Sequence, residues 1–441
     1  MTPLLALLAA TAPVETTPPP APPPIEVHGE VRARGEGLSE LDLDSGAVRT
    51  GARSWQDGER LLLRTRLGID ARPTENLSFY AQLQDARLFG QELTTTSSLN
   101  NIALRQGWVE IHDVEGVPVA LRVGRMELAY GDQRLVGPLG WDNVGRAFDG
   151  VLAKANVGDF RFDAFYTRLH ADPWNDFART PGDDFAGLYG SWSATPLLTV
   201  DAYVFGLYDR GGRIDSDDDG ALDADRFPGG EDLQIYTPGV RVDARPVQGL
   251  HLNGEFAWQT GNRGDLDVAA FALHAAADYT FAVATAPKLL VGYDMASGDS
   301  DAGDEKWGTF ENLYPTNHDK YGLIDLASWK NLQDIYFGAG FSPVAPVAFQ
   351  ATVHLLGRTE TEDTFYRASG LPLRDRAAAM ESDASNVGTE LDLTLNWNIT
   401  KGFGALLGYS QLFAGDFLDD TAADGKSPDP AFAYLQLTGS F

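Results

Sequence analysis

Apolar and polar residues alternate through eighteen short stretches of this 441-residue chain, and the last stretch ends on Phe441. In the clearest stretch Val387, Thr389, Leu391, Leu393, Leu395, Trp397 and Ile399 stand on one side, and Gly388, Glu390, Asp392, Thr394, Asn396 and Asn398 on the other. A period of two belongs to a strand with one greasy and one wet face. Repeated over the whole chain without a helical domain, such segments of about ten residues predict an all-β fold. The expected form is a transmembrane antiparallel β-barrel of eighteen strands, since only a closed sheet satisfies its backbone in lipid. No apolar run reaches the roughly 18 to 20 residues that a membrane-spanning helix requires.

The connections support the same reading. Short ones such as Arg72–Asn76, Asn156–Asp159 and Ser342–Ala345 alternate with long ones such as 35–58, 128–146, 209–231 and 297–331. Short turns at one rim and extended loops at the other are the pattern of bacterial outer-membrane barrels, whose turns face the periplasm. Strict alternation is therefore expected, with both termini periplasmic and the barrel in the outer membrane of a Gram-negative bacterium. The closing strand, with Ala433, Leu435, Leu437, Gly439 and Phe441 on its apolar face, resembles the terminal signal used by the outer-membrane assembly machinery.

The chain divides into three parts. Residues 1–12 have the apolar core (Leu4 to Ala10) and small-residue end (Ala10-Thr11-Ala12) of an export signal, though no Lys or Arg precedes the core. Residues 13–24 hold seven prolines and read as a stiff linker, and 25–441 form the barrel. The absence of cysteine suits passage through an oxidising compartment. A net charge of −29 argues against a nucleic-acid partner. Much of that charge falls between strands, as from Asp209 to Glu231, where eight acids meet three arginines. Within that loop Asp215, Asp217, Asp219 and Asp223, with Gly220, have the spacing of a calcium loop, but Arg226 occupies the position that should be a bidentate Glu. They are a candidate external calcium or lipopolysaccharide-bridging site. No other cofactor is expected.

Assigning the apolar face of each strand to lipid turns the opposite residues inward. Arg32 and Arg34, Arg64 and Arg66, Arg122, Lys154, Arg161 and Arg241 then gather in the lumen. A permanently charged, planar guanidinium fits carboxylates and phosphates, so a passage lined with such groups would select anions. The same cations have a structural alternative, pairing with Glu30, Asp70, Asp163 or Glu110 across the barrel.

The run Gly124-Arg125-Met126-Glu127-Leu128-Ala129-Tyr130-Gly131-Asp132-Gln133-Arg134-Leu135-Val136-Gly137, continuing through Trp141, Asn143, Arg146 and Phe148-Asp149-Gly150, resembles the signature of the alginate export family. A second block, from Asn312-Leu313-Tyr314-Pro315-Thr316-Asn317-His318 to Trp329-Lys330-Asn331-Leu332, resembles it too. The resemblance implies an eighteen-stranded barrel that conducts a linear polyuronate outward through an arginine-rich constriction gated by loops. It also makes Arg125, Arg134 and Arg146 candidate pore-lining or loop-anchoring cations, with Glu127, Asp132 and Asp149 as partners. The strongly acidic total departs from an electropositive conduit.

The expected function is passage of an anionic, alginate-like polysaccharide, with periplasmic export partners. An alternative is an uptake porin selective for small organic acids. No G-x-S-x-G, H-E-x-x-H or phosphate-cradling loop is present, so no enzyme is expected. A barrel hydrolase would need a serine near His28 or His112.

Overall fold

The computed structural model describes residues 25–39, 58–89, 102–113, 116–170, 182–209, 233–301, 303–374, 376–422 and 425–441. The expected export signal, the expected Pro-rich linker and the acidic calcium candidate Asp215, Asp217, Asp219 and Asp223 lie outside the described residues.

The strands are β1 (Ile25–Ser39), β2 (Gly58–Thr74), β3 (Leu77–Leu88), β4 (Ile102–His112), β5 (Val119–Met126), β6 (Phe148–Val157), β7 (Phe160–His170), β8 (Gly182–Thr195), β9 (Leu198–Asp209) and β10 (Leu233–Ala244). They continue with β11 (Leu250–Arg263), β12 (Leu266–Thr280), β13 (Lys288–Ala296), β14 (Lys306–Trp307), β15 (Gln333–Val344), β16 (Val347–Gly357), β17 (Asn386–Thr400), β18 (Phe403–Ala414) and β19 (Ala431–Ser440). Two-residue β14 pairs parallel to β12; the other eighteen pair antiparallel with their neighbours. β1 closes the sheet on β19 through a register running from Glu30↔Ser440 to Ser39↔Ala431. Beyond it Gly29 and Phe441 exchange both backbone hydrogen bonds, at 3.2 and 3.1 Å. The Phe441 ring lies over Gly29, where a Cβ would come within 2.5 Å of it. The barrel is the transmembrane antiparallel architecture that the alternation predicts.

Side chains sort by parity as expected. Leu121, Val123, Leu393, Trp397, Leu435 and Leu437 face outward, whereas Arg32, Arg64, Glu110, Arg241, Glu390 and Asp392 are buried inside. Toward the short-turn rim the outer face carries aromatic pairs, Phe160 with Trp192, Tyr279 with Phe281 and Phe341 with Phe349, as a girdle at a membrane interface. At the opposite rim the outer face turns polar. Arg125, Asp149, Arg168 and Asp184 stand directly opposed on β5 to β8 in alternating sign.

One expectation about the connections fails. The turn between β11 and β12 is only Gly264–Asp265, although it lies on the long-loop rim, so the alternation of short and long is broken there. Because β11 and β12 pair right up to Arg263↔Leu266, a tight turn suffices. β1 begins and β19 ends at the rim of the short turns.

Candidate functional site

Two of the long connections fold into the lumen. An irregular segment inside a barrel brings amides and carbonyls that must find partners away from water. The wall supplies them by polarity. For residues 140–142 it offers donors. Arg32 and Arg64 each donate to the Gly140 and Asp142 carbonyls, all at 3.0 Å, and Arg34 donates to the Trp141 carbonyl at 2.7 Å. For residues 323–324 it offers acceptors. Asp392 of β17 accepts from the Leu323 amide at 3.2 Å and Glu390 from the Ile324 amide at 2.9 Å.

The segments between β5 and β6 and between β13 and β15 meet inside. Tyr314 N donates to Leu135 O at 2.9 Å, Gly137 N to Tyr314 O at 2.8 Å and Thr316 N to Gln133 O at 2.9 Å. Arg146 staples the junction by donating to the Gly137 and Pro315 carbonyls. Around it Leu128, Tyr130, Leu135, Val136, Leu313, Tyr314 and Trp329 pack into a core with wall residues Phe148, Phe165, Phe185 and Phe205. Arg134 anchors the plug to Asp294 of β13 at 2.8 Å and pairs with Asp132 of its own segment at 3.0 Å. Burial alone would raise the Asp132 carboxyl, but the charges of Arg134, His274, Lys320 and Arg241 hold it well below the usual carboxylate range. Burial alone would likewise lower Arg134, but Asp294 and Asp132 push it well above its ordinary value. Trp141 is clamped between the Arg34 guanidinium at 3.7 Å and the parallel His318 ring at 3.6 Å.

Beneath the plug a vestibule of about 1140 Å³ runs to the short-turn rim, from Gly140, Trp141, Thr316 and His318 at one end to Ala286, Lys288, Ser342 and Gln350 at the other. Its lining cations are Arg32, Arg64, Arg134, Arg241, Lys288 and Lys320, against the carboxylates Glu30, Asp132, Asp243, Asp319 and Asp392. The lining is thus nearly balanced in charge.

The two blocks that build the plug, 124–150 and 312–332, are the blocks of family resemblance, and the alginate export family model matches residues 26–429. The chain belongs to the alginate export family. A search of curated proteins returns no significant match. In fold, this alginate export barrel is similar to three porins of Pseudomonas aeruginosa. OccK11 (OpdR) superposes with a TM-score of 0.59 at 11% identity, covering 95% of this chain and 96% of that one. OprD gives 0.55 at 12% identity with 95% of each chain covered, and OpdO gives 0.59 at 13% with 95% and 97%. Family and fold together make the protein an outer-membrane β-barrel channel.

The eight wall cations expected in the lumen all point there, but most are occupied. Arg34 pairs with Glu36 at 2.5 Å, Arg64 with Glu30 at 2.7 Å, and Arg161 with Asp163 at 2.5 Å. Arg122 and Lys154 share Glu110, at 2.7 and 2.6 Å. Arg241 reaches Asp201 and Asp243, both at 3.1 Å. Only Arg32 and Arg66 of the eight make no ion pair among the described residues.

Three assignments need correction. Arg125 is neither pore-lining nor an anchor: it continues the outward parity of Leu121 and Val123 and bonds Asp149 at 2.6 Å on the outer face, where both side chains are almost half exposed. Asp149 is therefore outside the lumen too. Glu127 pairs with Arg105 at 2.9 Å instead of with Arg125, Arg134 or Arg146. Asp70 binds Arg72, two residues along β2, and not one of the eight expected lumen cations.

Arg105 itself was missed. The register slips between Gln82↔Gln106 and Leu83↔Leu104, leaving Arg105 as the extra residue of a bulge that turns inward to bond the Pro138 carbonyl. A serine does approach His112, with Ser78 Oγ 3.0 Å from Nε2. The Glu110 carboxylate behind His112 is 3.5 Å from Nδ1, beyond a hydrogen bond, and already holds Arg122 and Lys154. The trio belongs to an ion-pair network.

Proposed function

We propose that this channel passes an anionic polysaccharide, an alginate-like polyuronate, along one cationic side of its lumen. The observation that carries the reading is the grouping of Arg32, Arg64, Arg66 and Arg105 on β1, β2 and β4, with Glu30 and Glu127 as the carboxylates paired within the group. Arg32 Nε, Arg66 Nη2 and Arg105 Nε have no hydrogen-bond partner. Farther round the wall, β13, β15 and β17 present Asp294, Asp334, Glu390 and Asp392. A carboxylate entering such a field is drawn to the guanidinium side, where fork geometry suits it. Passage needs no chemistry and no cofactor from this chain.

Residues 1–12 then serve export, 13–24 a linker, and the short-turn rim with both chain ends faces the periplasm, where export partners would deliver polymer. The acids at 215–223 suit external calcium bridging to lipopolysaccharide. A second reading, uptake of small organic acids, is favoured by one observation: the vestibule ends on the plug, so small anions fit it as it stands and a polymer requires the plug to shift. Bilayer recordings separate the two. Oligouronates should block the current at lower concentration than matched neutral oligosaccharides; preferential passage of cations, or block by monocarboxylates alone, would contradict export of a polyuronate.

A further inference from the structure

Near the short-turn rim, β1 to β5 carry a lumen-facing surface separate from the vestibule lining. His28 of β1 and Tyr80 of β3 reach toward each other across Gly68 of β2, with His28 Nε2 3.0 Å from the Tyr80 hydroxyl. Their planes differ by 10° at a centroid distance of 5.6 Å, so the two rings, joined by that contact, lie nearly parallel and form one tile. Gly68 permits it: a Cβ there would meet His28 Nε2 at 2.4 Å and the Tyr80 hydroxyl at 2.9 Å. Trp108 of β4 extends the tile, 5.4 Å from Tyr80 and tilted by 33°, and the Arg122 guanidinium stacks on Trp108 at 3.6 Å.

Three polar atoms around this tile lack hydrogen-bond partners: Arg66 Nη2, Gln82 Oε1 and Trp108 Nε1. Their neighbours explain why. Gln82 Nε2 is spent on the Tyr80 hydroxyl at 3.0 Å, and Arg66 Nε on Gln84 at 2.7 Å. Buried polar atoms are nearly always satisfied, so orphans gathered in one patch call for a ligand that brings both donors and acceptors. Sugar hydroxyls do both. The electron-rich face of an aromatic ring attracts the polarised C–H face of a pyranose, and a neighbouring guanidinium attracts a carboxylate. Arg66 sits one inward step, about 6.6 Å, from Gly68 along β2.

We propose that His28, Tyr80 and Trp108 form a stacking platform for one uronate ring at the short-turn mouth. Side-chain rotation of Gln82 and Arg66, whose orphan atoms are covered by their neighbours, brings them to its hydroxyls and its carboxylate. The proposal rests on the polyuronate reading and locates its first docking point. From Arg66 the next inward cations on β2 and β1, Arg64 and Arg32, lead into the vestibule.

The test is block of single-channel current by oligouronates added to the short-turn side, compared with neutral oligosaccharides of equal length. Tyr80→Leu keeps bulk over Gly68 but removes the ring face, and should raise the blocking concentration about tenfold, or about 1.4 kcal/mol. Tyr80→Phe keeps the face and should block like wild type. Arg66→Gln should erase the preference for charged over neutral oligomers. Unchanged block in Tyr80→Leu, or equal loss in Tyr80→Leu and Tyr80→Phe, would overturn the platform while leaving the polyuronate reading intact. A wild-type channel that no oligouronate blocks would overturn both.

Discussion

Arg134, on the segment between β5 and β6, places Nη1 2.8 Å from Oδ1 of Asp294 on β13, so the plug is tied to the wall by a pair 160 residues apart in sequence. His274 Nδ1 lies 2.8 Å from the same oxygen, which concentrates two groups on one carboxylate oxygen. Removing one member of a buried pair strands its partner at a cost of about 3–5 kcal/mol. Asp294→Asn should therefore loosen the plug, seen as larger and noisier single-channel currents. Currents identical to wild type would show that Arg134 is held by its other contacts.

The shared grip of Arg32 and Arg64 predicts non-additivity. Each donates to both the Gly140 and Asp142 carbonyls, so Arg32→Gln or Arg64→Gln alone leaves every carbonyl with a partner. The double variant leaves neither arginine. Coupling of contacting residues typically amounts to about 0.5–3 kcal/mol. Proteolysis of the 137–146 region in detergent should rise little in the single variants and sharply in the double one; a simple sum of small effects would argue against shared anchoring.

Selectivity should follow the face on which each arginine lies. Arg66→Gln with Arg105→Gln removes two lumen cations and should move the zero-current potential in a salt gradient toward cation preference. Arg125→Gln, on the outer face beside Asp149, should leave that potential where it was. A shift of equal size in Arg125→Gln would mean that the field, not the lining, sets selectivity.

The depressed carboxyl of Asp132 sets a pH window. A group whose folded value is depressed contributes stability that is present above its unfolded value, about 3.9, and is lost as pH falls through the folded value. Arg134, His274, Lys320 and Arg241 keep Asp132 ionised below the ordinary carboxylate range. Its contribution to plug noise should thus be constant from neutral pH down to about 4 and change only in stronger acid. Asp132→Asn should differ from wild type across that plateau; a wild-type transition near pH 5 would place the responsible proton elsewhere.

The barrel wall was readable residue by residue because a strand's period of two is local. Arg32, Arg34, Arg64, Arg66, Arg122, Lys154, Arg161 and Arg241 all lie on the inward parity that their neighbours announce. The same rule, applied to Val119, Leu121 and Val123, puts Arg125 outside; the family block drew it inward against its own parity. Arg105 was hidden because a bulge shifts the register, and one extra residue reverses every face beyond it. The plug was the least legible part. Leu128, Tyr130, Leu135 and Tyr314 follow no period, and their partners are remote: Arg34 meets Trp141 across 107 positions. Which carbonyl or amide an inward segment offers to a given wall charge depends on closure of the whole sheet.

That dependence has a consequence for biogenesis. Residues 140–142 and 323–324 take their hydrogen-bond partners from either side of the seam where β19 meets β1, donors from β1 and β2 and acceptors from β17. The two sets are held in fixed positions relative to each other only once the first and last strands have joined. The obstruction of the pore is therefore secured only when the seam is shut.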